Sequence, residues 1–368
     1  MRIKVDNYHG EYRVLSLAFD EKVKTELMNK KLDFLFVSEE KIIIYPENRI
    51  FTSDKEVIEK IYNAGNYDVY ELTETGKLLE YYDDSSIDNY FFVTAKCNSN
   101  CIMCPSPDIS RKRGGSSNIE SLIEIAKHIP VDAAHLTITG GEPFMVGKDI
   151  FKFLSFLKER FENTEFLFLT NGRIFALDSY VEELKNTIPS NSIFGIPIHG
   201  STAKIHDEIT QSINSFQQTV VGIKKLLREK IKIEIRIVVS KLNINDIGNI
   251  AKMIVSEMRE ISHVSIIAME MTGSAYSHRD KVWIPYKQAA RECEEGIFLF
   301  LQNGIDVKLY NFPLCTVKKE FWTLCEKSIS PDKIRYAEVC EKCVMKNICG
   351  GVFAGTIAME RGELRAIV

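Results

Sequence analysis

The chain has no excess of positive charge: 47 Lys and Arg stand against 51 Asp and Glu, leaving a net charge of −4 over 368 residues. It therefore presents no basic field for nucleic acid or for an acidic lipid surface. Its first residues, Met1-Arg2-Ile3-Lys4-Val5-Asp6-Asn7, lack the apolar core of a signal peptide. No apolar run is long enough to span a bilayer. A paired cysteine frame is also missing. The nine cysteines are odd in number and clustered, which reads as metal ligation in a reducing compartment rather than disulfide bonding. These absences predict a cytoplasmic protein with no membrane and no nucleic-acid partner. What remains is 45% hydrophobic, enough for a sizeable core, on a length suited to one large domain with one or two small ones.

The first cluster is Cys97-Asn98-Ser99-Asn100-Cys101-Ile102-Met103-Cys104, which follows the apolar run Tyr90-Phe91-Phe92-Val93. Thiolates at C-x3-C-x2-C spacing can converge on one centre, and soft ligands favour iron–sulfur clusters or zinc. A complete cluster or zinc site normally takes four protein ligands, so three leave one position open. About one βα unit later, Leu136-Thr137-Ile138-Thr139 runs into Gly140-Gly141-Glu142-Pro143. Paired glycines let a backbone approach a ligand closely.

The two motifs together resemble the radical S-adenosylmethionine (SAM) superfamily. The resemblance implies a 4Fe-4S cluster on Cys97, Cys101 and Cys104 whose open iron chelates SAM. It implies SAM contacts from Gly140, Gly141, Glu142 and Pro143. It also implies an adenine contact at the residue before the third cysteine, here Met103 instead of the usual aromatic; methionine can still pack softly on a ring.

Residues 1–89 read as a small α+β domain. Leu32–Val37 and Lys41–Tyr45 are strand-like, Asp54–Tyr62 helical, and Val69–Leu72 with Lys77–Tyr82 a hairpin around Thr75-Gly76. This domain either packs on the rest or holds a substrate peptide. From 90 to 304 a βα rhythm takes over, with strand-like runs at 90–96, 135–139, 165–170, 193–198, 231–239 and 263–270. They are apolar on nearly every residue, as for parallel strands buried on both faces. Helical patterns lie at Asp149–Phe161, Ser215–Glu229, Asn245–Met258 and Pro285–Gln302. The fold class is α/β, a partial (β/α)6 barrel, with chemistry expected at the C-terminal ends of its strands.

Those ends offer further candidates. Asn171, in Thr170-Asn171-Gly172-Arg173, carries an amide for polar contacts. His199 either bonds the SAM ribose or caps its strand. Arg236 is a lone cation in an apolar strand and needs a partner, either the SAM carboxylate or a salt bridge to Glu234. Glu270 could line the adenine side.

Residues 305–368 carry a second cysteine group, Cys340-x2-Cys343-x5-Cys349 with Cys315 and Cys325 upstream. It resembles the closing part of SPASM or twitch extensions, which implies one auxiliary 4Fe-4S cluster on Cys340, Cys343, Cys349 and a fourth cysteine. Cys315 is favoured because it follows the strand-like run Asp306–Tyr310; Cys325 and a zinc site are the alternatives. Phe321 and Trp322 can pack over the site. Cys293, mid-helix, reads as structural.

The resemblance extends to the radical SAM maturases of the His-Xaa-Ser system, the HxsC type. It runs through Thr170-Asn171-Gly172-Arg173, His206-Asp207, Ser215-Phe216-Gln217-Gln218-Thr219, Glu234 to Val239, Lys327-Ser328-Ile329-Ser330 and Cys340 to Phe353. It implies reductive cleavage of SAM to a 5′-deoxyadenosyl radical and hydrogen-atom abstraction from a ribosomally made precursor peptide. It also implies a reductant such as ferredoxin or flavodoxin, and a second radical SAM maturase as partner. The alternatives are a radical SAM enzyme acting on a nucleotide or small metabolite, and a non-catalytic iron–sulfur scaffold.

Overall fold

The computed structural model describes residues 2–4 and 10–368. The N-terminal unit runs β1 (Arg2–Lys4), β2 (Arg13–Ala18), α1 (Glu21–Asn29), β3 (Phe34–Val37), β4 (Ile42–Tyr45), β5 (Arg49–Ile50), α2 (Lys55–Tyr62), β6 (Val69–Leu72) and β7 (Lys77–Tyr82). Its seven-stranded sheet has the order β1-β7-β6-β2-β3-β4-β5. Both helices start at aspartates, Asp20 and Asp54, whose carboxylates accept from free first-turn N–H groups. The expected strand pair, helix and hairpin are all present; β1, β2, α1 and β5 were not foreseen. One face of the sheet carries its own core around Leu15, Leu35, Ile44, Val57 and Tyr70. Val14, Val69 and Tyr82 instead join the main core of the molecule, so the unit packs on the barrel.

The central unit continues with β8 (Tyr90–Phe92), α3 (Asp108–Arg113), α4 (Ile119–His128), β9 (His135–Thr139), α5 (Asp149–Arg160), β10 (Glu165–Leu169), α6 (Asp178–Thr187), β11 (Ser192–Pro197), α7 (Ala203–Thr210), α8 (Ser215–Arg228), β12 (Lys232–Val239), α9 (Ile247–Glu257), β13 (His263–Ala268), α10 (Gly273–Ser277), α11 (Arg279–Val282) and α12 (Tyr286–Gln302). Then come β14 (Asp306–Tyr310) and β15 (Cys325–Glu326), and last the short antiparallel pair β16 (Ile334–Arg335) and β17 (Val352–Phe353). The sequence led us to expect six parallel strands, and those six are there as β8 to β13. The sheet does not stop at residue 304, however: β14 pairs parallel to β13 and β15 to β14, giving eight strands in the order β15-β14-β13-β12-β11-β10-β9-β8.

The expectation of strands buried on both faces holds for some strands and not for others. β13 is buried on both faces from Val264 to Ala268. On β12, Ile233, Ile235, Ile237 and Val239 are fully buried and Glu234 on the opposite face is buried too, whereas Arg236 and Val238 there are only partly so. On β9, Leu136 and Ile138 are buried between the half-exposed His135, Thr137 and Thr139. The outer face packs on the helices, and on the inner face Val238 packs with Met103, Met269 and Met271. β8 is also shorter than the run 90–96 suggested, because the chain leaves the sheet to pair Thr94 with Ser116.

Candidate active site

The cysteine loop leaves the C-terminal end of β8 and is tied down on both sides by main chain. Asn100 N donates to Thr210 O (2.9 Å) and Ile102 N to Ile209 O (2.9 Å), so the end of α7 holds one flank. On the other flank Ala275 N donates to Cys104 O (3.2 Å). Gly273, at φ +53°, comes so close to Pro105 that an added Cβ would sit 2.1 Å from its carbonyl oxygen. Cys97, Cys101 and Cys104 are all free thiols of intermediate exposure. Burial pushes the Cys97 thiol up to about 11 and the Cys101 thiol up to about 12, with the charge of Arg111 pulling both the other way. Ser99 N points at Cys97 Sγ from 3.4 Å.

The Gly140-Gly141-Glu142-Pro143 turn follows β9 beside this loop, but its glycines face protein rather than open space. A Cβ on Gly140 would meet Thr94 O at 2.4 Å, and one on Gly141 would meet Lys96 O at 2.4 Å. Gly141 N donates to Thr94 O (2.6 Å) and Glu142 N to Lys96 O (2.8 Å). The glycines thus let the turn lie flush against the strand that leads into Cys97. Glu142 is buried, and its carboxylate accepts from Thr170 Oγ1 (2.8 Å), Asn171 N (2.7 Å) and Phe144 N (3.3 Å). Burial raises its pKa, partly offset by the Asn171, Thr170 and Phe144 hydrogen bonds. Pro143 opens a 3₁₀ turn over Pro143–Val146, where a missing N–H costs nothing.

Asn171 Nδ2 donates to Asn98 Oδ1 (2.6 Å) and lies 3.9 Å from Cys97 Sγ. Arg173, whose segment the sequence singled out without giving the side chain a role, donates to Asn98 O, Ser99 Oγ (2.9 Å), Ser212 Oγ (2.8 Å) and Gln218 Oε1 (2.7 Å). Arg111 was missed altogether, because Arg111-Lys112-Arg113 looks like an ordinary solvated basic run. It is buried and donates to Asn100 Oδ1 (2.7 Å), Ser106 O and Ser274 Oγ (3.0 Å). Asp207 accounts for its own segment. It accepts from Asn214 N, Ser215 Oγ and Phe216 N, so the turn between α7 and α8 is built on it.

The other expected contacts are placed as follows. Met103 is buried in an apolar cluster with Ile209, Met269, Met271 and Val238. His199 is buried with an unpartnered Nδ1, and burial together with His206 holds its pKa well below the ordinary histidine range. His206 Nδ1 accepts from His199 N at 3.1 Å. Arg236 pairs with Glu234 at 2.8 Å, the salt-bridge alternative; no hydrogen bond joins it to the cysteine loop among the described residues. Burial raises the pKa of Glu270.

In the C-terminal segment, Cys315, Cys340, Cys343 and Cys349 line one small cavity walled by Leu314, Val352, Leu364 and Ile367. Leu314 N and Gly351 N point at Cys349 Sγ and Ile367 N at Cys343 Sγ, each at 3.4 Å. Backbone donors aimed at sulfur tune iron–sulfur clusters, so the donor set fits such a group. Cys325 lies outside that lining, on β15, with its thiol directed at Phe321 O. Phe321 and Trp322 do not cover the cavity. Phe321 packs on Phe298, and Trp322 Nε1 ties down Leu314 O and Val317 O, steadying the turn that carries Cys315. Cys293 is fully buried in α12. Among the described residues, no three His, Cys, Asp or Glu side chains are grouped to hold one metal ion, and no helix is long and apolar enough to cross a membrane.

A strand-end thiol triplet locked against a Gly-Gly-Glu-Pro turn is the arrangement the sequence resemblance implied, and residues 91–254 match the profile of the Radical SAM superfamily. This segment is a radical SAM domain. The chain is 27% identical over 160 residues to the AdoMet-dependent heme synthase of Methanosarcina barkeri, a match covering 42% of this chain and 43% of that protein. The chain therefore spans under half the length of that curated relative. The crystal structure of Streptococcus suis SuiB bound to S-adenosylmethionine superposes with a TM-score of 0.53 at 14% identity, over 76% of this chain and 75% of that one. Its likeness shows a shared fold. Native anSMEcpe with bound AdoMet reaches a TM-score of 0.47 at 16% identity, over 60% of this chain and 63% of that one.

Proposed function

We propose that this radical SAM protein reductively cleaves SAM at Cys97, Cys101 and Cys104 and modifies a ribosomally made peptide by hydrogen-atom abstraction. A 4Fe-4S cluster with SAM on its open iron supplies, when bound, the electron and the hydrogen-abstracting group. The residues described above do the rest. Arg111, Arg173 and the end of α7 fix the thiol-bearing loop. Glu142 fixes the Gly140-Gly141 turn beside it, and Met103, Met269 and Met271 offer an apolar bed that keeps water out.

The observation that carries the peptide half is the open side of the barrel. β8 and β15 are the two edges of the sheet and do not pair with each other. A lateral gap of this kind admits a chain from the side, which a closed barrel does not. On β8, Phe91 packs on Phe153 of α5 with ring centroids 5.0 Å apart. Tyr90 and Phe92 consequently lie on the opposite face and are 53% and 39% exposed. Toward the other edge the strands carry polar side chains: Arg236 paired with Glu234 on β12, and Lys308 of β14 paired with Glu326 of β15. An aromatic edge and a polar one suit a peptide, which has both apolar side chains and a polar backbone. The resemblance to the His-Xaa-Ser maturases supports the same substrate class, and with it a ferredoxin- or flavodoxin-like reductant and a partner maturase. The auxiliary 4Fe-4S cluster would be held by Cys315, Cys340, Cys343 and Cys349. We place the protein in the cytoplasm, where its odd set of free thiols stays reduced.

A second reading, action on a small metabolite, is favoured by the identity to the heme synthase. One experiment separates the readings. The reconstituted protein is reduced with SAM, alone and after co-expression with a short peptide carrying His-Xaa-Ser repeats. 5′-Deoxyadenosine together with a mass change on the peptide is expected. 5′-Deoxyadenosine with an unchanged peptide would favour the metabolite reading, and none at all would leave a non-catalytic scaffold.

A further inference from the structure

We propose that Arg111 and Arg173 are positioning residues that supply the positive charge against which a cluster on Cys97, Cys101 and Cys104 is held and reduced, an inference that rests on placing that cluster there. The argument starts from an imbalance of charge. The Arg111 side chain is 4% exposed, yet among the described residues its one carboxylate within 4 Å is Asp108 at 3.7 Å, itself 44% exposed and shared with Lys112 at 2.8 Å. Arg173 has no carboxylate within salt-bridge distance among the described residues. Its hydrogen-bond partners are the neutral Asn98 O, Ser99 Oγ, Ser212 Oγ and Gln218 Oε1, and the buried Glu142, beyond salt-bridge distance, is the carboxylate its charge acts on. A guanidinium taken out of water without a close anion is costly. A sequence that buries Arg111 and half-buries Arg173 at the same loop has another anion in place when the protein works.

Their geometry identifies that anion. Arg173 grips Asn98 and Ser99, between the first and second cysteines. Arg111 grips Asn100 and Ser106, the residue before Cys101 and the second residue after Cys104. Both cations therefore grip the segment between Cys97 and Cys101, with Arg111 reaching past Cys104 as well, and three thiolates are the negative charge the loop brings. Planar guanidinium forks suit this task because they can bond the backbone and present charge at once. Reduction adds one electron to the cluster, taken from the external reductant, and so adds one negative charge. Fixed cations nearby favour the reduced form more than the oxidised form, so removing one must lower the reduction potential.

The test uses the reconstituted full-length protein as wild type, Arg111→Gln, Arg173→Gln, Arg111→Lys and Arg173→Lys. The SAM-responsive electron paramagnetic resonance signal is followed through a dithionite titration, which isolates the open-iron cluster from any auxiliary one. At a fixed potential the reduced-to-oxidised ratio is expected to fall about tenfold in each Gln variant, equivalent to about 59 mV for a one-electron couple. The Lys variants should recover most of that loss, since they keep the charge and lose the fork. Gln variants that titrate with the wild type, or Lys variants that shift as far as Gln, overturn the proposal. Iron lost from Gln but kept in Lys supports it, and iron lost from both overturns it in favour of a purely steric hold on the loop. A wild-type protein with no SAM-responsive signal would instead sink the placement of the cluster.

Discussion

At the scale of single residues, Glu142 shows how a motif side chain can be used up internally. Its two oxygens accept three hydrogen bonds that join the ends of β9 and β10. Glu142→Gln replaces one acceptor with an NH2 that must face a donor. We expect a loss of about 1–3 kcal/mol in urea unfolding, and an unchanged midpoint would show the bonds to be unimportant. Arg236 is similar. Arg236→Ala leaves Glu234, whose side chain is 4% exposed, with only His263 at 3.9 Å, and breaking a fully buried pair typically costs about 3–5 kcal/mol, the upper bound here because Arg236 is partly exposed. The melting temperature should fall while SAM affinity by calorimetry holds; an affinity loss of tenfold or more would assign Arg236 to the SAM carboxylate. The three loop cysteines have a sharper signature. Alanine at Cys97, Cys101 and Cys104 together should abolish 5′-deoxyadenosine formation and remove one cluster's worth of iron, and cleavage that survives in this variant would refute the assignment.

At the scale of elements, the placing of the loops depends on close backbone contacts. Gly141→Ala would drive a methyl into the Lys96 and Ala95 carbonyls at 2.4 and 2.6 Å. The strand leading to Cys97 must then move, so the variant is expected to bind less iron at the loop cysteines, while Gly115→Ala, with nothing within 4 Å, should not. The C-terminal turn gives a parallel test. Cys315 shares a cavity with Cys340, Cys343 and Cys349, and Cys325 does not. Cys315→Ala should therefore weaken or remove an auxiliary absorption and paramagnetic signal, and Cys325→Ala should leave it intact. The reverse result would exchange their roles.

On the scale of the whole molecule, the join between the N-terminal unit and the barrel is expected to respond to pH. His128 of α4 lies between them, with Nδ1 2.9 Å from Ser16 Oγ of β2. Burial lowers its pKa to about 4, with Arg160 and Lys127 acting in the same direction and Glu124 opposing. Between pH 4 and 6.5 the unfolded chain binds a proton here that the folded one does not, so the stabilisation is present above pH 6.5 and is lost as the pH falls toward 4. A shift from 6.5 to about 4 corresponds to about 3 kcal/mol at most. Urea midpoints should drop between pH 7 and 5, and His128→Gln should flatten that slope; an unchanged slope would place the acid sensitivity elsewhere.

The fold and the thiol triplet were legible in the sequence because their signals are local. Parallel strands declare themselves as short apolar runs, and cysteine spacing survives any rearrangement of the rest. The same holds for α5, α8, α9 and α12, whose apolar stripes repeat every three to four residues. What the tertiary structure alone decided depends on contacts between residues far apart in the chain. The run Asp306–Tyr310 reads as a strand by itself, but its place beside β13, and that of β15 beside it, depends on pairing with distant residues, which no local pattern records. The choice of Cys315 over Cys325 for the shared cavity depends on how a turn near residue 314 meets a loop near 349, joined by one Leu314 N to Cys349 Sγ contact. Arg111 looks like part of a surface run until the fold carries it 163 residues along the chain to Ser274. Burial is a property of three-dimensional packing, and it turns a common basic residue into a charge in need of an anion.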